Sequence, residues 1–313
     1  MALSLAKVSP LARRMRAWWE GYELGEAAEA GPQPAAAPPA GRKETVLPIP
    51  EGRKSTLFQQ AEIQLRERVW GVGFDGPGDA DWVFRFVAPL ALDNKMTVAH
   101  LGAGLGGITR AIAGATGAWT TGYEARADHA EAGMELSTMA GQVKRAPVVG
   151  YDPPALPKDA SKCHAVIAVD AFRAIADKPA LYASVFGVLR TDGHFLFTDY
   201  LLKGGARDAP AVADWLALEP APVHLSTPEE TREALAKVRF DVRIVEEMSG
   251  EVSRLIIASW ARFAETLTRD NFDRRLGTAL ADELALWLAR LRVLESGAVG
   301  AYRVHAIKHR AQG

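Results

Sequence analysis

The sequence has only one cysteine, Cys163, among its 313 residues. A single cysteine forms no intramolecular disulfide and cannot supply a cysteine-based zinc site. The chain also lacks an apolar run long enough to span a membrane, and its start lacks the pattern of a signal peptide. Acidic and basic residues nearly cancel, at a formal net charge of −1, which argues against a nucleic-acid surface over the whole molecule. We therefore expect a cytoplasmic globular protein with no metal site and no nucleic-acid partner.

The first 50 residues differ from the rest of the chain in composition. Residues 1–24 contain a short amphipathic helix pattern, in which Leu11 and Met15 share a face and Trp18 and Trp19 follow three arginines. The pattern fits a helix at a membrane surface, a protein-docking peptide, or a terminal helix packed on its own domain. Residues 25–50 are rich in Ala, Pro and Gly and predict a disordered linker. Residues 51–313 then form the folded domain, and peripheral attachment to the inner membrane face remains an alternative to a purely cytoplasmic location.

From Lys95 onward, short apolar runs alternate with helical patterns. Strands are predicted at 97–101, 118–123, 146–149, 164–169, 194–198, 240–246 and 301–308. Helices are predicted at 54–70, after 79, and at 106–115, 126–139, 178–190, 210–218, 227–238 and 252–294. This alternation predicts an α/β fold with a doubly wound, mostly parallel, seven-stranded Rossmann-like sheet. The helical insertion at about 252–295, before the last strand, is expected to form a lid over the ligand end of the sheet.

A glycine-rich turn follows the first predicted strand. Gly102, Gly104 and Gly106 separate this strand from the start of a helical pattern. Glycine lets the backbone approach a ligand closely, and a helix N-terminus offers unpaired N–H groups. A Gly-x-Gly-x-Gly pattern is weak evidence by itself, so its meaning depends on the residues that would surround it.

Acidic side chains follow four of the predicted strands, namely Glu124, Asp152, Asp170 and Asp199. The carboxyl ends of parallel strands meet at one edge of a sheet, where doubly wound folds bind their ligands. We therefore expect these carboxylates to lie near the glycine turn. Together the two features predict a cofactor site.

Several motifs give the chain a more specific resemblance. They are Leu-Gly-Ala-Gly-Leu-Gly-Gly at 101–107, Gly-Tyr-Glu at 122–124, the run from Asp177 to Tyr200, His-Leu-Ser-Thr-Pro-Glu-Glu at 224–230, and the loop Gly-Phe-Asp-Gly-Pro-Gly at 73–78. With these motifs the chain resembles the class I S-adenosylmethionine-dependent methyltransferases, over about Phe58 to His309. Within that superfamily it is most similar to the phosphoethanolamine and small-amine N-methyltransferases.

The resemblance implies a cofactor, S-adenosyl-L-methionine, and a set of residues around it. The glycine turn, including Ala103, would pass beside the methionyl part, and Glu124 would accept both ribose hydroxyls. Asp152 would accept from the adenine amino group, and Asp170 and Phe172 would face the sulfonium methyl group. His100 stands where the family usually has an acid that helps to hold the ammonium group of the cofactor.

The chain departs from the amine methyltransferases at their acid–base pair. Their histidine falls at Ala174, and their partner tyrosine falls at Phe58. An amine must lose a proton before it can accept a methyl group, so another base is needed for such an acceptor. Asp170, Asp199 and Tyr200 are the predicted catalytic residues, and the acceptor is expected to be a small molecule or linked to a lipid.

Three classes of function remain open. The leading hypothesis is methyl transfer. The second is a binding or scaffold protein that keeps the fold without turnover, which His100, Ala174 and Phe58 favour. The third is an NAD-dependent dehydrogenase, which also uses glycines and an acid after the second strand, but the motifs that follow Asp177 argue against it.

Overall fold

The computed structural model describes residues 52–156, 160, 162–267 and 274–309. The predicted N-terminal helix (1–24) and linker (25–50) lie outside these residues. Within the described ranges, none of the helices is both long and apolar enough to cross a membrane.

Seven strands in the described part of the chain form one sheet, in the order β3-β2-β1-β4-β5-β7-β6. The strands are β1 Thr97–Leu101, β2 Trp119–Glu124, β3 Val148–Gly150, β4 Cys163–Val169, β5 Leu189–Leu202, β6 Phe240–Glu247 and β7 Val299–Lys308. β7 runs antiparallel to both β5 and β6, and the other neighbouring strands are parallel. The predicted doubly wound, mostly parallel sheet is confirmed.

Nine α-helices accompany the sheet in the described residues. They are α1 Ala61–Trp70, α2 Ala80–Val87, α3 Gly107–Thr116, α4 Ala127–Met139, α5 Lys178–Val188, α6 Pro210–Leu216, α7 Pro228–Lys237, α8 Ser249–Thr266 and α9 Gly277–Glu295. Several begin at residues suited to a helix start. Thr227, for example, forms a capping box with Glu230 at the start of α7, with Pro228 in the first turn.

Most predicted bounds differ from the structure by one or two residues, and three elements differ by more. The helix expected at 54–70 is a 3₁₀ turn, Thr56–Gln59, followed by α1, because Gln60 between them has extended backbone angles. The stretch expected at 252–294 is two helices, and α8 ends where Leu267 turns extended. β5 starts at Leu189, five residues before the prediction, and its long C-terminal part pairs with β4 on one side and with β7 on the other.

The insertion before β7 is packed firmly onto the rest of the fold. Its helices α8 and α9 share a buried apolar cluster with α1 and α6. Trp70 of α1 lies 4.6 Å from Trp287 of α9 and 6.4 Å from Trp260 of α8, measured between ring centroids. Aromatic pairs at such distances add stability beyond the area they bury. Helices α8 and α9 therefore form a roof that is packed onto the rest of the fold.

Candidate functional site

A cavity of about 740 Å³ lies at the carboxyl ends of β1, β2, β4 and β5. Gly102, Glu124, Asp170 and Tyr200 contribute to its walls from these strand ends. Val252 and Leu255 of α8 and Trp287 of α9 cover it with apolar side chains, together with Met248 just before α8. Its size is within the range of small-molecule sites, and its place is the one that doubly wound folds use for ligands.

The glycine turn has a backbone that other residues rarely adopt. Gly102, Gly104 and Gly106 all have positive φ, at 68°, 51° and 78°. A side chain at Gly102 would overlap Ala171, and a Cβ at Gly104 would lie 2.5 Å from Asp75 Oδ2. Of the predicted turn residues only Gly102 reaches the cavity wall, and Ala103, Gly104 and Gly106 lie behind it. The turn thus brings the backbone of Gly102 to the cavity wall. The other residues of the turn lie behind the wall and set the shape of the turn.

Glu124, the last residue of β2, is fixed at the cavity wall. Its Oε2 accepts from the N–H of Gly104 at 2.8 Å, and its Oε1 accepts from the N–H of Arg126 at 2.9 Å. Burial raises the pKa of this carboxyl, against the opposing effect of the two backbone donors, and the charge of Asp75 adds to the rise. A carboxylate oxygen has two lone pairs, so each oxygen can still accept from a ligand hydroxyl.

Asp75 is a cavity residue for which sequence analysis gave no role. It belongs to the 73–78 loop and lines the cavity next to Gly102 and Glu124. Its Oδ2 lies against Gly104, and its charge adds to the rise in the pKa of Glu124 that burial causes. The sequence could not indicate this contact, because the loop and the glycine turn meet only in the folded chain.

Asp170 occupies the end of β4 in a strained conformation, with φ at 51°. Its N–H donates to Thr198 Oγ1 at 3.0 Å, and its Oδ2 is ion-paired with Arg173. Its Oδ1 is buried and has no hydrogen-bond partner among the described residues. This oxygen is therefore available to accept from a ligand that enters the cavity.

Asp199 and Tyr200 also line the cavity, but their contacts do not suit the predicted role of base. Asp199 Oδ2 accepts from Lys178 Nζ at 2.6 Å, and its Oδ1 accepts from the N–H of Tyr200 at 2.9 Å. Burial raises the pKa of Asp199, with Lys178 opposing the rise. Burial also raises the pKa of Tyr200 well above its usual value, so its hydroxyl stays protonated at neutral pH. Asp199 anchors α5 to β5, and Tyr200 offers a hydroxyl rather than a base.

Besides Ala103, Gly104 and Gly106, three more residues predicted to contact the cofactor lie away from the cavity wall. His100 is fully buried, its Nδ1 lies 2.9 Å from Thr109 Oγ1, and burial lowers its pKa to about 4. Phe172 is turned into the core, where its apolar ring packs between Phe195 and Phe197. Asp152 is exposed to solvent, while its neighbours in the chain line the cavity.

Three arginines that sequence analysis did not single out line the same cavity, Arg126, Arg173 and Arg290. Arg290 donates from Nε and Nη2 to the two oxygens of Glu219, at 2.8 and 3.0 Å. Arg173 Nε lies 3.7 Å from Glu219 Oε2. Burial opposes ionisation of Glu219, but the two arginines outweigh it and lower its pKa. Trp215 Nε1 also donates to Glu219, at 2.6 Å.

No cluster of three or more His, Cys, Asp or Glu side chains in the described ranges could hold a metal ion. No protein-family model and no curated protein matches the sequence.

Solved structures nevertheless share the fold. Phosphoethanolamine N-methyltransferase 2 of Haemonchus contortus, in complex with S-adenosyl-L-methionine, superposes with a TM-score of 0.69 at 18% identity. The match covers 79% of this chain but only 57% of that one, so this chain spans little more than half of its length. Geranyl diphosphate C-methyltransferase of Streptomyces coelicolor superposes at 0.57, with 13% identity over 73% of this chain and 78% of that one.

A third structure shows that the fold also serves other chemistry. The [4+2]-cyclase SpnF superposes with a TM-score of 0.61, at 15% identity over 82% of this chain and 95% of that one. The function of this chain must therefore be argued from its own site. The strand order, the antiparallel β7 and these structural matches establish that the chain has the fold of the class I S-adenosylmethionine-dependent methyltransferases.

Proposed function

We propose that this protein is an enzyme that transfers the methyl group of S-adenosyl-L-methionine to a small-molecule acceptor. The observation that carries the proposal is Glu124, a carboxylate at the end of β2 that Gly104 and Arg126 hold at the wall of an open cavity. Two fixed carboxylate oxygens suit the two hydroxyls of a ribose. The cavity is large enough for a ligand, which argues against the alternative of a scaffold protein with a filled site.

Different residues along the cavity would bind different parts of the cofactor. Glu124 accepts from the ribose hydroxyls, and Gly102 allows the backbone to lie close to the methionyl chain. Asp75 is the carboxylate that we assign to the cofactor's ammonium group. Asp75 lies against Gly104, in the turn that would carry the methionyl chain, whereas Asp170 is ion-paired with Arg173 and keeps only Oδ1 free, and Asp199 is paired with Lys178.

To catalyse methyl transfer, a protein mainly has to align the acceptor atom with the methyl group and to exclude water. When bound, S-adenosylmethionine supplies an electrophilic methyl group on a positively charged sulfur. Val252, Leu255 and Trp287 cover one side of the cavity with apolar side chains, which limits the access of water there. The Tyr200 hydroxyl can donate a hydrogen bond to the acceptor and hold it in line. A cavity of about 740 Å³ that both molecules must share favours a small acceptor over a long lipid.

Calorimetry with S-adenosylhomocysteine, S-adenosylmethionine and NAD tests the proposal. We expect the two sulfur ligands to bind and NAD not to bind. Glu124→Gln should weaken both by about 10- to 100-fold, because it removes charged hydrogen bonds worth about 1.5–3 kcal/mol. The matched change Glu131→Gln, at an exposed position of α4, should leave binding unchanged. Binding of NAD, or no binding of either sulfur ligand at millimolar concentration, would refute the proposal.

The same titration tests Asp75 separately. Asp75→Asn should weaken S-adenosylhomocysteine by about tenfold. It should leave 5′-methylthioadenosine unaffected, because that molecule has the ribose and the adenine but no ammonium group. Equal weakening of both ligands would instead assign Asp75 to the ribose.

A further inference from the structure

Glu67 of α1 is a carboxylate that lies outside the cavity wall and is almost completely buried, with its side chain 1% exposed. Burying a carboxylate is costly unless charges and hydrogen bonds compensate for the lost water. Glu67 has both kinds of partner. Its Oε2 is ion-paired with Arg53, and its Oε1 accepts from the N–H of Gly73 at 2.9 Å. The second contact ties Glu67 to the 73–78 loop, whose residues 74–77 line the cavity.

Gly73 is the residue at which this loop meets the glycine turn. Its carbonyl accepts from the N–H of Gly107, the first residue of α3, at 2.8 Å. A Cβ at Gly73 would overlap the guanidinium of Arg110, and a Cβ at Gly107 would lie 2.5 Å from the Gly73 oxygen. The two backbones are therefore in direct contact. Glu67 holds Gly73 through its N–H, and Gly107 holds it through its carbonyl.

Arg110 packs against the same junction from the side of α3. Its Nη2 donates to the carbonyl of Leu105, inside the glycine turn, at 3.0 Å. Burial lowers the pKa of Arg110 to about 10, against the opposing charge of Glu67, and the charge of Arg53 adds to the fall. Glu67 is thus a counter-charge for two arginines as well as the acceptor for the loop. These two roles can be tested separately.

The loop brings Asp75 to the cavity two residues after Gly73. The Oδ2 of Asp75 lies against Gly104 of the glycine turn. A binding group has to be held to within about 0.5 Å of its productive position, so a loop that shifts loses affinity for its ligand. The bond from Glu67 to Gly73 is the contact that restrains the loop just before Asp75.

We propose that Glu67 is a positioning residue for the cofactor: it holds the 73–78 loop against the glycine turn and so sets where Asp75 meets the ammonium group. The inference rests on the proposed function, in which Asp75 binds that group. Glu67 lies behind the cavity wall, so its effect on the ligand passes through Gly73 and Asp75.

Two substitutions separate the reach of Glu67 from its charge. Glu67→Asp keeps the negative charge beside the arginines but withdraws the carboxylate from Gly73 by one methylene. Glu67→Gln removes the charge but keeps an oxygen at the same reach. Calorimetry measures the affinity of both variants for S-adenosylhomocysteine and for 5′-methylthioadenosine, which has no ammonium group. We expect Glu67→Asp to weaken S-adenosylhomocysteine by about tenfold, Glu67→Gln to weaken it by less than about threefold, and 5′-methylthioadenosine to stay within about twofold.

Three results would overturn the inference. Equal weakening of both ligands would show that Glu67 merely supports the fold. A larger loss in Glu67→Gln than in Glu67→Asp would show that its charge matters instead of its bond to Gly73. Unchanged affinity for S-adenosylhomocysteine in Glu67→Asp would show that the bond does not matter. Glu62→Asp, at an exposed position of the same helix, is the matched control and should change nothing.

A double variant tests whether the effect passes through Asp75. In Asp75→Asn the contact with the ammonium group is already weakened. Adding Glu67→Asp should therefore weaken S-adenosylhomocysteine by less than about twofold more, because two residues that act through one contact are not additive. A further loss of about tenfold would mean that Glu67 acts elsewhere, and the inference would fail.

Hydrogen exchange on the wild type decides the question if a variant does not fold. The Gly73 amide should exchange slowly without ligand, because it is buried and donates to Glu67. The amides of the loop after Gly73 should slow further when S-adenosylhomocysteine binds, and less so with 5′-methylthioadenosine. Free exchange of the Gly73 amide, or equal slowing of the loop by both ligands, would contradict the inference.

Binding of S-adenosylhomocysteine to the wild type separates the two proposals. If it binds and the Glu67 variants keep the wild-type affinities, only the positioning role fails. If it does not bind, the proposed function fails as well.

Discussion

Acid should destabilise this protein through His100, next to the glycine turn. Burial lowers the pKa of His100 from its ordinary value of 6.5 to about 4. In the unfolded chain the imidazole takes up its proton as the pH falls below its ordinary pKa, whereas in the folded chain it stays neutral until about pH 4. The folded state therefore has its full stability above pH 6.5, the ordinary pKa of the imidazole. It loses stability as the pH falls from there towards the folded-state pKa of about 4.

The size of this loss follows from the width of the pH window. Proton uptake by the unfolded state alone lowers the free energy of unfolding by about 1.4 kcal/mol per pH unit. Because the folded state is itself half-protonated at its pKa of about 4, the loss between about pH 7.5 and about pH 4 is roughly 3 kcal/mol. Domains of this kind are stable by only about 5–15 kcal/mol, so this one group would carry a large share of the acid sensitivity.

Urea unfolding at about pH 7.5 and about pH 4 measures the effect in the wild type and in His100→Asn. The variant removes the titrating imidazole, so its stability should fall by roughly 3 kcal/mol less between the two pH values than that of the wild type. Thr109→Val is the matched control. It removes the hydrogen bond to His100 Nδ1, at a cost of about 1 kcal/mol at both pH values, but leaves the buried imidazole in place. An equal acid loss in wild type and His100→Asn would refute the reasoning.

Three further predictions concern stability. Gly104→Ala should destabilise the fold by at least about 1–2 kcal/mol, because a φ of 51° is unfavourable for alanine and the new Cβ would meet Asp75. Chemical denaturation measures this loss, and an unchanged stability would contradict the prediction. Lys178→Met should lower the free energy of unfolding by about 3–5 kcal/mol, because it leaves Asp199 buried without a counter-charge. Adding Asp199→Leu should restore most of this loss, and a double variant as unstable as the single one would disprove the account. Tyr182→Phe should leave the stability to thermal unfolding unchanged or slightly higher, because the hydroxyl is buried with no hydrogen-bond partner among the described residues. A loss above about 1 kcal/mol would show that the hydroxyl does form a hydrogen bond.

Much of the fold could be predicted because its signals are local. The apolar run at β1, the glycine turn and the start of α3 are adjacent in the sequence. Each is specified by the backbone preferences of its own residues, so each could be predicted without knowing the rest of the fold. Glu124 and Asp170 were placed at strand ends by the same reasoning, and both lie at the cavity wall. The C-terminal extension of β5, residues 199–202, was missed because it is held by pairing with β7, about a hundred positions later.

The sequence by itself determined the α/β alternation, the glycine turn and the acid that ends β2, since periodicity and backbone freedom act over a few neighbouring residues. Tertiary structure alone decided which charges face the cavity. Asp75 reaches Gly104 from a loop before β1, and Glu219 joins Arg173 to Arg290 across elements far apart in the chain. The same packing turned Phe172 into the core and buried His100 as a neutral imidazole. Burial and charge pairing depend on distances that only the folded chain sets, and these distances decide the chemistry of the site.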